Sequence, residues 1–108
     1  MNTVQILKDA RALIADEKNW AQKANARDED GIEVRVGSDR AYSFCVIGAL
    51  FRASDMDGAK DAREVIRDAI SEITGGDRSI TQFNDNRAHA DVLIAFDRAI
   101  ARAESEAA

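Results

Sequence analysis

Cys45, His89 and Asp85, or the amide Asn84 in place of the carboxylate, are the residue types of a thiol hydrolase. In that chemistry an imidazole takes the thiol proton and a third group orients the imidazole. One reading of the chain is therefore a small cysteine-dependent hydrolase using Cys45, His89 and Asp85. The local sequence argues against it. Phe44, Val46 and Ile47 bracket the cysteine, and a helix through 41–53 capped by Ser38 or Asp39 sets it about six residues in, too deep for the dipole to favour a thiolate. A buried structural cysteine is the better reading. His89 falls in the first turn of the last predicted helix, as a solvent-facing side chain rather than a general base.

Metal and cofactor chemistry find less support. One cysteine and one histidine fall short of the four ligands, or three plus water, of a zinc site. Asp28-Glu29-Asp30-Gly31 has consecutive rather than alternating carboxylates, unlike a calcium loop. Phosphate-loop, dinucleotide-binding, HExxH and EF-hand spacings are all missing from the sequence. Neither a cofactor nor a metal is expected.

The elements that position these residues follow from periodicity. Residues 41–53 are apolar around most of a helical wheel. Phe44, Ile47, Leu50 and Phe51 lie on one side, Tyr42, Val46, Ala49 and Ala53 on the other, and the small residues Ala41, Cys45 and Gly48 form a strip that lets another helix come close. Such a segment predicts a buried central helix. Around it, a helix capped by Thr3 runs to Ala15, a third from beyond Gly58 to Thr74 stops at Gly75, and a last one spans 87–103. The fold class is all-α: a compact bundle of four main helices around the central one.

Shorter features fill the gaps. Trp20 reads as a lid over the core, followed by a short helix through Ala21, Ala24 and Ala26. Ile32, Val34 and Val36 alternate with Glu33 and Arg35, so 32–36 is extended, with no obvious partner strand in the chain. Ser79 and Gln82 have the spacing of a capping box for a single helical turn that drives Ile80 and Phe83 inward. Asn84, Asp85 and Asn86 then read as a polar turn that caps the final helix.

At 108 residues, 45 % hydrophobic, the chain is sized for one domain. A net charge of −5 with scattered arginines disfavours nucleic acid, including a helix-turn-helix built from the last two helices. With no N-terminal apolar run and no cysteine pair, the expected setting is the cytoplasm, away from membranes.

Trp20, Cys45-Val46-Ile47-Gly48-Ala49-Leu50, Ile80-Thr81-Gln82-Phe83-Asn84-Asp85 and Val92-Leu93 to Asp97-Arg98-Ala99-Ile100 together resemble a family of small uncharacterised bacterial and phage proteins with a W…CxxGAL…(W/F)ND…V…A layout. Family members carry Thr-x-x-Glu before the last helix. Here Ala88-His89-Ala90-Asp91 stands there, leaving the cap to Asn86 or Asp85. The resemblance implies the architecture and a phage-related or regulatory setting, and no established activity.

The function class expected is thus a non-catalytic, acidic protein-interaction or regulatory module with an unidentified protein partner. Two surfaces are candidates. Asp57, Asp61, Glu64, Asp68 and Glu72 form a stripe along the third helix, a row of carboxylates suited to a basic partner. Ile32, Val34 and Val36 form an extended segment able to pair with a second copy of the chain.

Overall fold

A computed structural model describes residues 2–107, apart from the side chains of Met56, Asp57 and Ala107. Helix α1 (Thr3–Leu13) starts one residue earlier than Thr3 would cap it: Asn2 is extended, and its Oδ1 accepts the Gln5 N–H at 2.8 Å. Its buried face is Ile6, Leu7 and Ala10, continued by Ile14 just beyond its end.

Between α1 and the central helix the chain is irregular. A 3-10 turn at Glu17–Asn19 leads into two short strands, β1 (Ala26–Arg27) and β2 (Ser43–Phe44), paired antiparallel with Ala26 opposite Phe44. Single bridges widen this pair on both sides, Trp20 to Phe44 and Arg27 to Glu33. The short helix expected through Ala21–Ala26 does not form. Lys23 adopts a positive φ of 65°, and Ala26 is spent on the strand. Of the segment 32–36, expected to be extended, Ile32 to Val34 bond back to β1, Asp28 N–H donating to the Ile32 carbonyl at 2.8 Å and Val34 N–H to the Ala26 carbonyl at 3.1 Å, whereas Val36 and Gly37 form a turn in which Ser38 N–H donates to the Arg35 carbonyl at 3.0 Å. Asp28 Oδ1 closes the turn between Asp28 and Ile32 by accepting the N–H groups of Asp30 and Ile32, each at 2.9 Å.

Helix α2 is Val46–Ala53, not 41–53. Phe44 and Ser43 pair with β1 instead of extending the helix, and Ala21 N–H donates to the Phe44 carbonyl at 2.9 Å. Helix α3 (Met56–Thr74) begins where Asp55 Oδ1 accepts the Gly58 N–H at 2.8 Å, and ends at left-handed Gly75, φ 81°. Helix α4 (Ile80–Asn86) is capped by Ser79, whose Oγ accepts the Gln82 N–H at 3.2 Å. It runs on past a single turn, so Asn84, Asp85 and Asn86 are its last residues rather than a separate loop. Helix α5 (His89–Ala107) completes the chain.

Helix α1 packs against α2, α3 and α5, α3 packs against α5, and α4 closes the end of α2. Helix α3 also packs against α2 and α4, so the core is shared among α1, α2, α3 and α5. One contiguous core includes Leu7, Leu50, Ile66, Ile70, Phe83, Val92 and Phe96. Phe96 is fully buried, so truncating it to alanine would cost about 3–5 kcal/mol.

Candidate functional site

Asn84 organises the polar interior. It is 1 % exposed and makes four hydrogen bonds. Its Oδ1 accepts from Trp20 Nε1 at 2.8 Å and from the Val46 N–H at 3.1 Å; its Nδ2 donates to the Ala21 carbonyl at 3.0 Å and to Asp85 Oδ1 at 3.0 Å. A buried amide with two acceptor sites and two N–H groups used is fully satisfied. The expected role for Asn84 and Asp85 was a cap on α5. Asn84 instead caps α2, and Asp85 turns toward the loop before β1, accepting the Lys23 N–H at 2.8 Å. That bond holds Lys23 in its left-handed conformation.

Cys45 sits at the N-terminus of α2, not inside it. Its φ and ψ of −78° and 178° are extended, and its Sγ accepts the Gly48 N–H at 3.3 Å. The thiol lies 3.6 Å from Asn25 Oδ1, and Cys45 N–H donates to the Asn25 carbonyl at 3.3 Å. Cys45, 8 % exposed as a residue, lines a cleft of about 270 Å³ whose other walls include Lys23, Asn25, Glu33, Thr81 and Asp85. Burial pushes the thiol above its ordinary value of 9.0; the Gly48 and Ile47 N–H groups oppose this and the Asp85 carboxylate reinforces it. The position suits a thiolate, yet the surroundings keep the proton on sulfur.

Gly48 explains the close fit. A Cβ there would lie 1.9 Å from the Asn25 carbonyl oxygen. The strip of small residues thus admits a loop backbone, where a helix was expected.

His89 is half-buried rather than solvent-facing. Its ring packs tilted by 42° against Trp20, centroids 5.5 Å apart, and Nε2 lies 2.6 Å from the Ile14 carbonyl. A carbonyl only accepts, so Nε2 carries the proton and the imidazole closes the C-terminal end of α1. The cleft beside Cys45 does not include His89 in its lining. Cys45 and Asp85 thus share the cleft and His89 does not line it, while each side chain has a backbone partner of its own: Gly48 for Cys45, Lys23 for Asp85 and Ile14 for His89.

Gln22 is a site residue that no sequence signal marked. Its Nε2 donates to the carbonyls of Asn84 and Asp85, both at 3.1 Å, and faces Arg87 O at 3.3 Å, terminating α4. A single glutamine in an irregular segment has no period to betray it.

On α3 the carboxylates are interleaved with arginine. Glu64 meets Arg67 at 2.6 Å and Arg78 at 3.2 Å, Asp68 meets Arg78 at 2.7 Å and Arg102 at 3.8 Å, and Glu72 pairs with Arg98 and Arg102. Asp61 is exposed and takes no part in these pairs; the Asp57 side chain lies outside the described residues. The row shown to water is one of mixed charge.

Among the described residues no group of three or more His, Cys, Asp and Glu could hold a metal ion, and no helix is long and apolar enough to cross a membrane. Fold and site together define a small, mostly α-helical protein whose interior polar side chains terminate helices. The chain belongs to a family of unknown function (DUF6197), whose model matches residues 1–102. No curated protein and no solved structure matches it.

Proposed function

We propose that this protein is a non-catalytic interaction module whose contact surface is the exposed edge formed by the segment 32–36. The observation that carries the reading is Ile32, a large aliphatic side chain left 63 % exposed on that edge. Isolated exposed apolar residues are ordinary, but this one continues a row with the half-buried Val34 and Val36, beside backbone groups of Glu33 that have no hydrogen-bond partner among the described residues. The groups that would have to do chemistry are committed elsewhere: Sγ of Cys45 to Gly48, Nε2 of His89 to Ile14, Oδ1 of Asp85 to Lys23. A single free thiol is consistent with a cytoplasmic setting, and the resemblance to bacterial and phage proteins favours a regulatory role. The acidic face of α3 is the lesser candidate, since Glu64, Asp68 and Glu72 already share their charge with arginines.

Two measurements test this. A thiol reagent at neutral pH should leave Cys45 unlabelled until denaturant is added; rapid labelling of the native protein would return the hydrolase to first place. A photo-crosslinker at Glu33, in cells that naturally make the protein, should give a discrete adduct that Ile32→Asp abolishes. No adduct, or one indifferent to Ile32→Asp, would remove the edge from consideration.

A further inference from the structure

The cleft beside Cys45 gathers side chains of both charges that do not neutralise one another. Lys23 and Asn25 come from the loop before β1, Glu33 from the segment after it, and Thr81 and Asp85 from one face of α4, a helical turn apart. Lys23 and the carboxylates of Glu33 and Asp85 line the same space, yet Lys23 joins no ion pair among the described residues. Asp85 fixes their relative placement. Its Oδ1 accepts the Lys23 N–H at 2.8 Å, and Lys23 is the one non-glycine residue with a positive φ among the described residues, a conformation that persists only where its surroundings impose it. Asp85 Oδ2, the Glu33 carboxylate and the Thr81 hydroxyl have no hydrogen-bond partner among the described residues. Asn25 places its Oδ1 on the Cys45 thiol at 3.6 Å, which leaves Nδ2 as an unused donor. Unused donors on Lys23, Asn25 and Thr81 thus share the cleft with unused acceptors on Glu33 and Asp85, beside an apolar wall of Ile47 and Ile80.

We infer that this cleft binds a free α-amino acid with an aliphatic side chain. The inference goes beyond the contact edge and does not rest on it. An α-amino acid carries an ammonium and a carboxylate on one carbon, so a site that holds both must offer both signs within a short span. Its carboxylate suits the Lys23 ammonium, Asn25 Nδ2 and the Thr81 hydroxyl; its ammonium suits Glu33 and Asp85 Oδ2. Simpler ligands fit less well. The carboxylates of Glu33 and Asp85 outweigh the single ammonium of Lys23, which disfavours a plain carboxylic acid, while a plain amine leaves Lys23 without a counter-charge. Size points the same way: about 270 Å³ lies below the roughly 300–1,000 Å³ of pockets that take drug-sized ligands, so the occupant is small. The wall of buried Ile80 and half-buried Ile47 favours a branched aliphatic side chain over a polar one. Because Asp85 already holds the Lys23 backbone, less of the site has to be ordered on binding. The Cys45 thiol contributes by orienting Asn25 and otherwise stays with Gly48.

The experiment is calorimetric titration of the full chain with L-valine and L-leucine, and with isobutylamine and isovalerate, which each keep one of the charges of valine and lose the other. Titrating to about 10 mM reaches dissociation constants of about 1 mM, and a rise in the thermal midpoint at saturation serves as a second reading. Wild type should bind valine or leucine, and each single-charge analogue at least about tenfold more weakly than valine, since each leaves a charged group of the cleft without its partner. Lys23→Met should weaken valine at least about tenfold, to no tighter than isobutylamine. Glu33→Gln should weaken valine and isobutylamine alike and leave isovalerate no weaker, because the lost carboxylate faces only ammonium groups. Both side chains are exposed, so unchanged helical circular dichroism should accompany each variant. Absence of binding by both readings for valine and leucine, isobutylamine bound as tightly as valine, or valine binding indifferent to both substitutions overturns the inference.

Discussion

Trp20 and Asn84, 64 positions apart, meet through a 2.8 Å hydrogen bond from the indole Nε1 to the amide Oδ1, and the same oxygen takes the first N–H of α2 from Val46. One side chain on α4 thereby ties the lid of the core to the start of the central helix. Removing it should be costly. Asn84→Ala would strand the indole N–H, the Val46 N–H and the Ala21 carbonyl, and should destabilise the protein by about 3 kcal/mol or more, read as a fall in the denaturant midpoint. Asn84→Asp should cost at least as much, because it removes both amide donors and sets a second carboxylate against Asp85. Trp20→Phe, which keeps most of the packing and loses one bond, should cost about 1–2 kcal/mol. The double variant should be less damaging than the sum, since the two share a partner.

Gly48→Ala sets helix propensity against packing. In an open helix the change would gain about 1 kcal/mol. Here the new methyl group would meet the Asn25 carbonyl, which is itself held by Cys45 N–H. The clash should win, with a net loss of about 3 kcal/mol or more or failure to fold, checked by thermal unfolding.

Cys45 should give stability a characteristic alkaline limb. Its folded thiol ionises above 9.0, so the unfolded chain loses its proton first as pH rises. The contribution is present below pH 9.0 and declines above it until the folded thiol ionises too. Cys45→Ser, whose hydroxyl keeps the cap on Gly48, should remove that limb at a cost near 1 kcal/mol or less, whereas Cys45→Ala should also lose the cap, at about 1 kcal/mol. Unfolding free energies of the three proteins between pH 7 and 10 measure the difference.

Ala88 precedes α5 and offers no side-chain acceptor to the Asp91 N–H, which instead reaches the Ala88 carbonyl at 3.0 Å. Ala88→Ser would supply an oxygen with Asp91 three residues on, as in a capping box. The expected gain is about 1 kcal/mol, visible as a higher midpoint of thermal unfolding. An unchanged midpoint would mean that the backbone bend at this position does not suit a cap.

Periodicity alone carries much of this protein. The faces of Ile6, Leu7 and Ala10, of Ile66 and Ile70, and of Val92 and Phe96 are legible because a three- to four-residue repeat has one meaning when it is long. Ser79 and Gly75 are legible because the ends of helices need local oxygens and left-handed residues. The start of α2 is not: Ser43 and Phe44 are buried in an apolar run that a strand and a helix satisfy equally well, and only pairing with Ala26 and Arg27 decides between them. The roles of Cys45, Asn84, Asp85 and His89 also belong to the tertiary structure. Each satisfies a backbone group, and apart from the Gly48 N–H under Cys45 those groups lie 38 to 75 positions away. Residue type says that such a side chain will find a hydrogen bond, whereas the crossing of distant segments determines which one.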